Sequence, residues 1–172
     1  MRKNFGRVWA FIDANNLHLG IKSQGWVLDW GRFRTYLTEK YGVTEALIFV
    51  GYLPERENLY RRLKVLGYRL IFKPVVRDSE GKVKANIDAD LVLQAALRWE
   101  EYDGAVLVTS DGDFYSLVRA WRRGGKLEAV LSPCSSASRL LSREAGAALF
   151  HLGQLRHLLE RKEEGKNEKG PR

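Results

Sequence analysis

The sequence predicts an α/β fold, a mostly parallel sheet covered by helices on both faces. Three observations predict it. Short apolar runs alternate with amphipathic segments along the chain, which is the pattern of strands joined by crossover helices. No internal repeat breaks that alternation. The length, 172 residues, suits one domain, here taken as 1–160, with 161–172 a charged tail expected to be disordered.

Each element has its own signal. "RVWAFID" (Arg7–Asp13) reads as a buried strand and "NNLHLGI" as the start of a short helix. Asp29 is a fitting N-cap for a helix from Trp30 to Tyr41, which places Phe33, Tyr36, Leu37 and Tyr41 at helical spacing. "EALIFVGY" (Glu45–Tyr52) is the second strand. Pro54 opens a helix carrying Leu59, Leu63 and Leu66 that stops at Gly67. "YRLIFKPVV" (Tyr68–Val76) is the third strand, "RDSEGK" a charged turn, and "NIDADLVLQAALRW" a strong helix. "GAVLVT" is the fourth strand, and Phe114 to Arg123 a helix ended by two glycines. "KLEAVL" is the fifth strand, "SASRLLSREA" a short helix and "ALFHL" a short sixth strand. A last helix is expected from about Gln154 into the tail.

Composition narrows the function classes. No apolar run approaches the roughly 20 residues of a membrane span. The N-terminal apolar run ends in Asp13 rather than at a small-residue cleavage site, so it reads as a strand and not a signal peptide. A single cysteine, Cys134, excludes an internal disulfide and a cysteine-based metal site, and points to a cytoplasmic protein. Lys and Arg outnumber Asp and Glu by 29 to 21, a net charge of +8. The last twelve residues carry five basic and three acidic side chains, so +6 remains on the body. A basic body favours polyanionic partners, nucleic acid above all.

Against that background the acidic residues stand out. Asp13 ends the first strand, with Asn15 and Asn16 behind it. Asp88 and Asp90 open a helix, and Asp111 and Asp113 follow the fourth strand in "TSDGDF". Each group has a simpler reading: a helix cap, charges favoured by a helix dipole, a solvated turn. Taken together they point elsewhere. Ligands of parallel sheets gather at the carboxyl ends of the strands, where the strand order reverses. If the first and fourth strands are central neighbours, Asp13 and Asp111 converge there. Gathering carboxylates costs free energy unless a cation compensates, and oxygen ligands suit Mg²⁺ or Mn²⁺. Asp88 and Asp90 differ by about 200° around a helix, so only one faces such a site; Asp88 is the choice. Asp111, nearest the strand end, is the expected direct ligand, and Asp113 is expected to act through water while starting the next helix. Gly112 would let the backbone turn so that both acids face the pocket.

A carboxylate-held cation lowers the pKa of a bound water and polarises a phosphoryl oxygen, which is what phosphodiester hydrolysis requires. No Ser–His–Asp or Cys–His arrangement is apparent, and His18, His151 and His157 are scattered. Phosphoryl-transfer folds that place an Asp-x-Asp nucleophile after the first strand do not match "DANN".

Three blocks, "FIDANNLHLG", "KANIDADLVLQAAL" and "VLVTSDGDFYSLVRAWRRGGKLEAVL", resemble in order and spacing those of the NYN domain, a branch of the PIN-like nuclease superfamily that includes the LabA-like proteins. The resemblance runs from about Val8 to Leu152. It implies a Rossmann-like, three-layer α/β/α sandwich whose acidic pocket binds Mg²⁺ or Mn²⁺ and cleaves RNA. It assigns Asp13, Asp88, Asp111 and Asp113 to catalysis and metal binding. Asn16 is the matching amide, and Thr109 and Ser110 are supporting hydroxyls. Gln94 stands where many relatives have an acid.

For the substrate, "RAWRRGGK" supplies Arg119, Arg122 and Arg123, also readable as a solvated helix face. Lys84, four residues before Asp88, is the better single phosphate contact, and Tyr115 is placed to stack an unpaired base. Arg56, Arg61 and Arg62 read as exposed helix surface. The function expected is therefore a metal-dependent endoribonuclease acting on single-stranded or structured RNA, with no membrane partner; assembly into a homo-oligomer is compatible with the sequence. The competing reading is a non-catalytic RNA-binding or regulatory LabA-like module.

Overall fold

The run Val8–Asp13 has no polar residue before its last, and as strand β1 it is buried at every position. A strand apolar on both faces needs a neighbour on each edge and a layer over each face. The computed structural model, which describes residues 6–162, supplies both. β1 pairs in parallel with β2 (Val43–Gly51) on one edge and β6 (Gly104–Val108) on the other. β3 (Tyr68–Lys73) extends the sheet beyond β2; β7 (Leu127–Ser132) and β8 (Leu149–His151) extend it beyond β6. The order is β3-β2-β1-β6-β7-β8, all parallel.

Alternation along the strands sorts the core into two layers. Val8, Ala10 and Ile12 face Leu17 and Ile21 of α1 (Ala14–Ser23), Phe33 and Leu37 of α2 (Trp30–Tyr41), and Leu63 of α3 (Glu57–Val65). Trp9 and Phe11 face Leu91 and Ala95 of α4 (Asp88–Leu97), Val118 and Trp121 of α5 (Tyr115–Arg123), and Leu141 of α6 (Arg139–Ala145). The result is a three-layer α/β/α sandwich. On the second face Trp121 is fully buried and donates its indole N–H to Tyr102 at 2.9 Å, and the Tyr102 hydroxyl donates to the Ala95 carbonyl at 2.7 Å. A buried polar pair thus ties α5 to α4 with no group left unsatisfied.

Several boundaries follow the sequence reading. Asp29 caps α2, accepting from the Arg32 amide at 3.0 Å, and Gly42 closes it in the left-handed region at φ 70°. Others differ for identifiable reasons. β3 ends at Lys73 instead of Val76 because Pro74 offers no N–H to a ladder. The chain then forms an antiparallel pair, β4 (Val76–Arg77) with β5 (Val83–Lys84), around the charged turn. Asp78 closes that turn by accepting from the Glu80 and Lys82 amides. The last helix, α7, is only Arg156–Leu159, since Glu160 turns extended and bridges Leu28. Residues 163–172, most of the expected tail, lie outside the described residues.

Topology locates the site. From β1 the chain steps outward through β2 and β3, returns by the hairpin and α4, and enters β6 on the other side of β1. The order reverses between β1 and β6, and a crevice opens at their carboxyl ends.

Truncating the pillar of the second layer, Trp121→Ala, should cost about 3–5 kcal/mol in urea unfolding. Arg123→Ala on the exposed face of the same helix should stay within about 0.5 kcal/mol.

Candidate metal centre

The last register pair of the two central strands is Ile12 with Val108, so the next residues, Asp13 and Thr109, emerge side by side. Asp13 ends β1 and caps α1. Its Oδ1 accepts from the Asn16 amide at 3.1 Å, and its Oδ2 accepts from the Thr109 hydroxyl at 3.4 Å. The residue is 5 % exposed. Burial, with smaller contributions from the charges of Asp88 and Asp111, pushes its carboxyl up to about 6 against the two hydrogen bonds that favour its ionised form. Thr109 is fully buried and also accepts from the Asp111 amide at 3.2 Å. One hydroxyl therefore links the end of β1 to the acidic turn after β6.

That turn is built on itself. Asp111 caps a short 3₁₀ segment, Gly112–Phe114, its Oδ1 accepting from the Asp113 amide at 2.9 Å. Asn16 fastens it to α1: the Asn16 Oδ1 accepts from the Ser110 amide at 2.8 Å and from the Ser110 hydroxyl at 3.0 Å. Gly112 is present for a different reason from the one the sequence suggested. It does not adopt positive φ. A Cβ there would come within 2.9 Å of the Ser138 Cβ, and Ser138 leads into α6. The glycine admits a close neighbour that lies far along the chain.

The third segment comes from α4. The Asn86 side chain accepts from the Asp88 amide at 2.9 Å, and the Asp88 carboxyl turns toward the acidic turn. Oxygens of Asp88, Asp111 and Asp113 lie within 4.8 Å of one another and could hold a metal ion. All donors are carboxylate oxygens, a hard set. Burial first, then the charges of Asp111 and Asp113, raise the Asp88 carboxyl above its ordinary value. Asp113 thus stands within the cluster rather than behind it. Asp13 forms the neighbouring wall: with Asn15, Asn16, Asn86, Asp88 and Asp111 it lines a cleft of about 440 Å³. Asp90 points elsewhere, 3.0 Å from the Lys73 ammonium.

The expected nucleic-acid residues are scattered. Arg119 and Arg122 both engage the buried Glu144 of α6, at 2.6 and 2.8 Å, so they bind α5 to α6. Arg119 also lies 5.3 Å from the Tyr115 ring centre. Arg123 is exposed and has no partner among the described residues. The Lys84 side chain lies outside the described residues. Sequence reasoning missed Lys73, whose ammonium donates to the Asn86 carbonyl at 2.6 Å and whose charge reaches Asp88. Its only sequence signal is its place at the end of a strand, before Pro74.

Two outcomes follow from this packing. A carboxyl raised from 3.8 to about 6 on folding favours the protonated folded state. Its cost is absent below about pH 4 and complete once pH has risen through 6, about 3 kcal/mol in all. Metal-free Asp13→Asn should therefore be more stable than wild type at pH 7 and lose that advantage at pH 4, in parallel urea titrations. Gly112→Ala should lose about 1–3 kcal/mol from the clash with Ser138.

The chain is similar to "Low amplitude and bright protein LabA" of Synechococcus elongatus, with 28 % identity over 167 residues, 91 % of this chain and 89 % of that protein. Its fold is similar to the crystal structure of a protein of unknown function from Vibrio parahaemolyticus, with a TM-score of 0.72 and 21 % identity over 88 % of this chain and 96 % of that one. Residues 7–152 match the NYN domain, a span that includes Asp13, Asp88, Asp111 and Asp113. The chain belongs to the NYN domain family.

Proposed function

We propose that this chain is a metal-dependent ribonuclease that hydrolyses RNA phosphodiester bonds with Mg²⁺ or Mn²⁺ held by Asp88, Asp111 and Asp113. The observation that carries the reading is the convergence of three carboxylates from two distant segments at the switch point of a parallel sheet, beside the buried Asp13. Its family places it among nuclease-like domains, and its net charge of +8 favours a polyanionic substrate.

The bound cation would supply charge neutralisation, polarisation of a phosphoryl oxygen and an activated water. The remaining parts belong to the chain. Asp13 and Thr109 fix Asp111 through the Thr109 hydroxyl. Asn16 holds the Ser110 backbone, so the acidic turn keeps its position when substrate arrives. Asn86 sets the start of α4 and with it the direction of Asp88. Preorganisation of this kind avoids reordering the ligands during the reaction. Lys73, beside Asp88, supplies cationic charge for a phosphate backbone, and Tyr115 a face for an unpaired base.

The test is cleavage of a labelled single-stranded RNA by purified protein in Mg²⁺ or Mn²⁺. Chelation should abolish it, and Asp88→Asn and Asp111→Asn should each lower kcat/KM by about 100-fold or more. Cleavage unchanged in both variants would contradict the assignment. Salt-dependent RNA binding with no turnover in either metal would support a non-catalytic RNA-binding module instead.

A further inference from the structure

A second hollow, of about 350 Å³, adjoins the acidic cleft, and Asn15, Ala85 and Ile87 line both. It opens at the same end of the sheet, because Phe49, which contributes to its wall, pairs in register with Asp13. Its apolar surface comes from Phe49, Val50, Leu53 and Ile87; Phe49 and Ile87 are nearly fully buried. The β4–β5 arm closes one side. It lies so close to the end of β2 that a Cβ on Gly51 would come within 2.7 Å of Ala85 and 2.9 Å of Val75. Gly51 thus leaves room for the Ala85 and Val75 side chains, which seat this wall against the end of β2.

The polar groups are His18 of α1, Arg56 of the 3₁₀ turn Pro54–Arg56, and Asn15; no carboxylate of the described residues lines the hollow. The Arg56 guanidinium is exposed and has no partner among the described residues. Burial, then the charges of Arg56 and Lys22, hold the His18 imidazole below its ordinary value, so it is neutral at pH 7 and offers one N–H. An apolar slot edged by donors suits a nucleobase, whose faces are apolar and whose edges carry acceptors. Its volume lies in the range of small-ligand sites.

We infer that this hollow is a nucleoside subsite, taking the base and ribose of the nucleotide adjacent to the phosphate at Asp88, Asp111 and Asp113, with Arg56 and His18 donating to the acceptor atoms of the base. The inference rests on the nuclease reading for its choice of ligand. It assigns Arg56 a role that its place in a charged, exposed run concealed.

Two variants test it: Leu53→Trp fills the hollow without altering any residue that lines the acidic cleft, and Arg56→Ala removes an exposed donor at little risk to folding. Two substrates are compared, a fluorescent single-stranded octaribonucleotide and bis(p-nitrophenyl) phosphate, a diester with no nucleoside. In both variants the fall in kcat/KM on RNA, carried by KM, should exceed the fall on the small diester by about tenfold. Equal losses on both substrates, or none on either, would overturn the subsite. Binding of the octaribonucleotide in Ca²⁺, followed by fluorescence anisotropy, separates this from the nuclease reading. Weakening by about tenfold in both variants supports the subsite even if no cleavage occurs in Mg²⁺ or Mn²⁺. Undiminished binding overturns it even if RNA is cleaved.

Discussion

Mutual repulsion among carboxylates is the constraint that the functional end of this fold must accommodate. Asp13, Asp88 and Asp111 line one cleft, and Asp113 joins two of them within 4.8 Å. In a low-dielectric setting such a group would push its members apart or take up protons; Asp13 and Asp88 both have raised carboxyl values, caused first by burial and then by the charges of their neighbours. The surrounding structure resists it with neutral hydrogen bonds. Thr109 joins Asp13 to Asp111, Asn16 secures Ser110, and Asn86 secures Asp88. Hydroxyls and amides hold the carboxylates in place without neutralising them, so the negative charge remains available to a cation.

The same constraint explains why the cations nearby are arranged as they are. Arg119 and Arg122 are occupied by Glu144, which fixes α5 against α6. Lys73 is paired with Asp90, the acid of α4 that faces away. A guanidinium placed directly on Asp111 or Asp113 would compete with a metal ion for the same oxygens.

Much of this was legible in the sequence. β1 could be read because an apolar run ending in Asp is buried on both faces, and helical geometry allowed only one of Asp88 and Asp90 to face the site, Asp88 being taken because it comes first. The convergence of Asp13 with Asp111 needed one further inference, that the first strand and the strand beginning at Gly104 are neighbours, and the register bears it out. What was not legible depends on contacts between residues remote in sequence. The role of Gly112 requires Ser138 to be packed over it, and the fate of Arg119 and Arg122 requires Glu144. The place of Asp113 within the cluster depends on the 3₁₀ turn that Asp111 caps, and nothing in "TSDGDF" distinguishes that turn from a wider one. The early end of β3 was signalled by Pro74, but the small antiparallel arm that follows it was not.

The central claim is that Asp88, Asp111 and Asp113 form the ligand set of a divalent cation. Electron paramagnetic resonance of Mn²⁺ titrated into the protein measures this directly, since bound and free ions differ in signal. The account predicts saturable binding in wild type that is lost in Asp88→Asn and in Asp111→Asn while both variants stay folded. Mn²⁺ binding that is absent from the wild type, or that survives both substitutions, would contradict it.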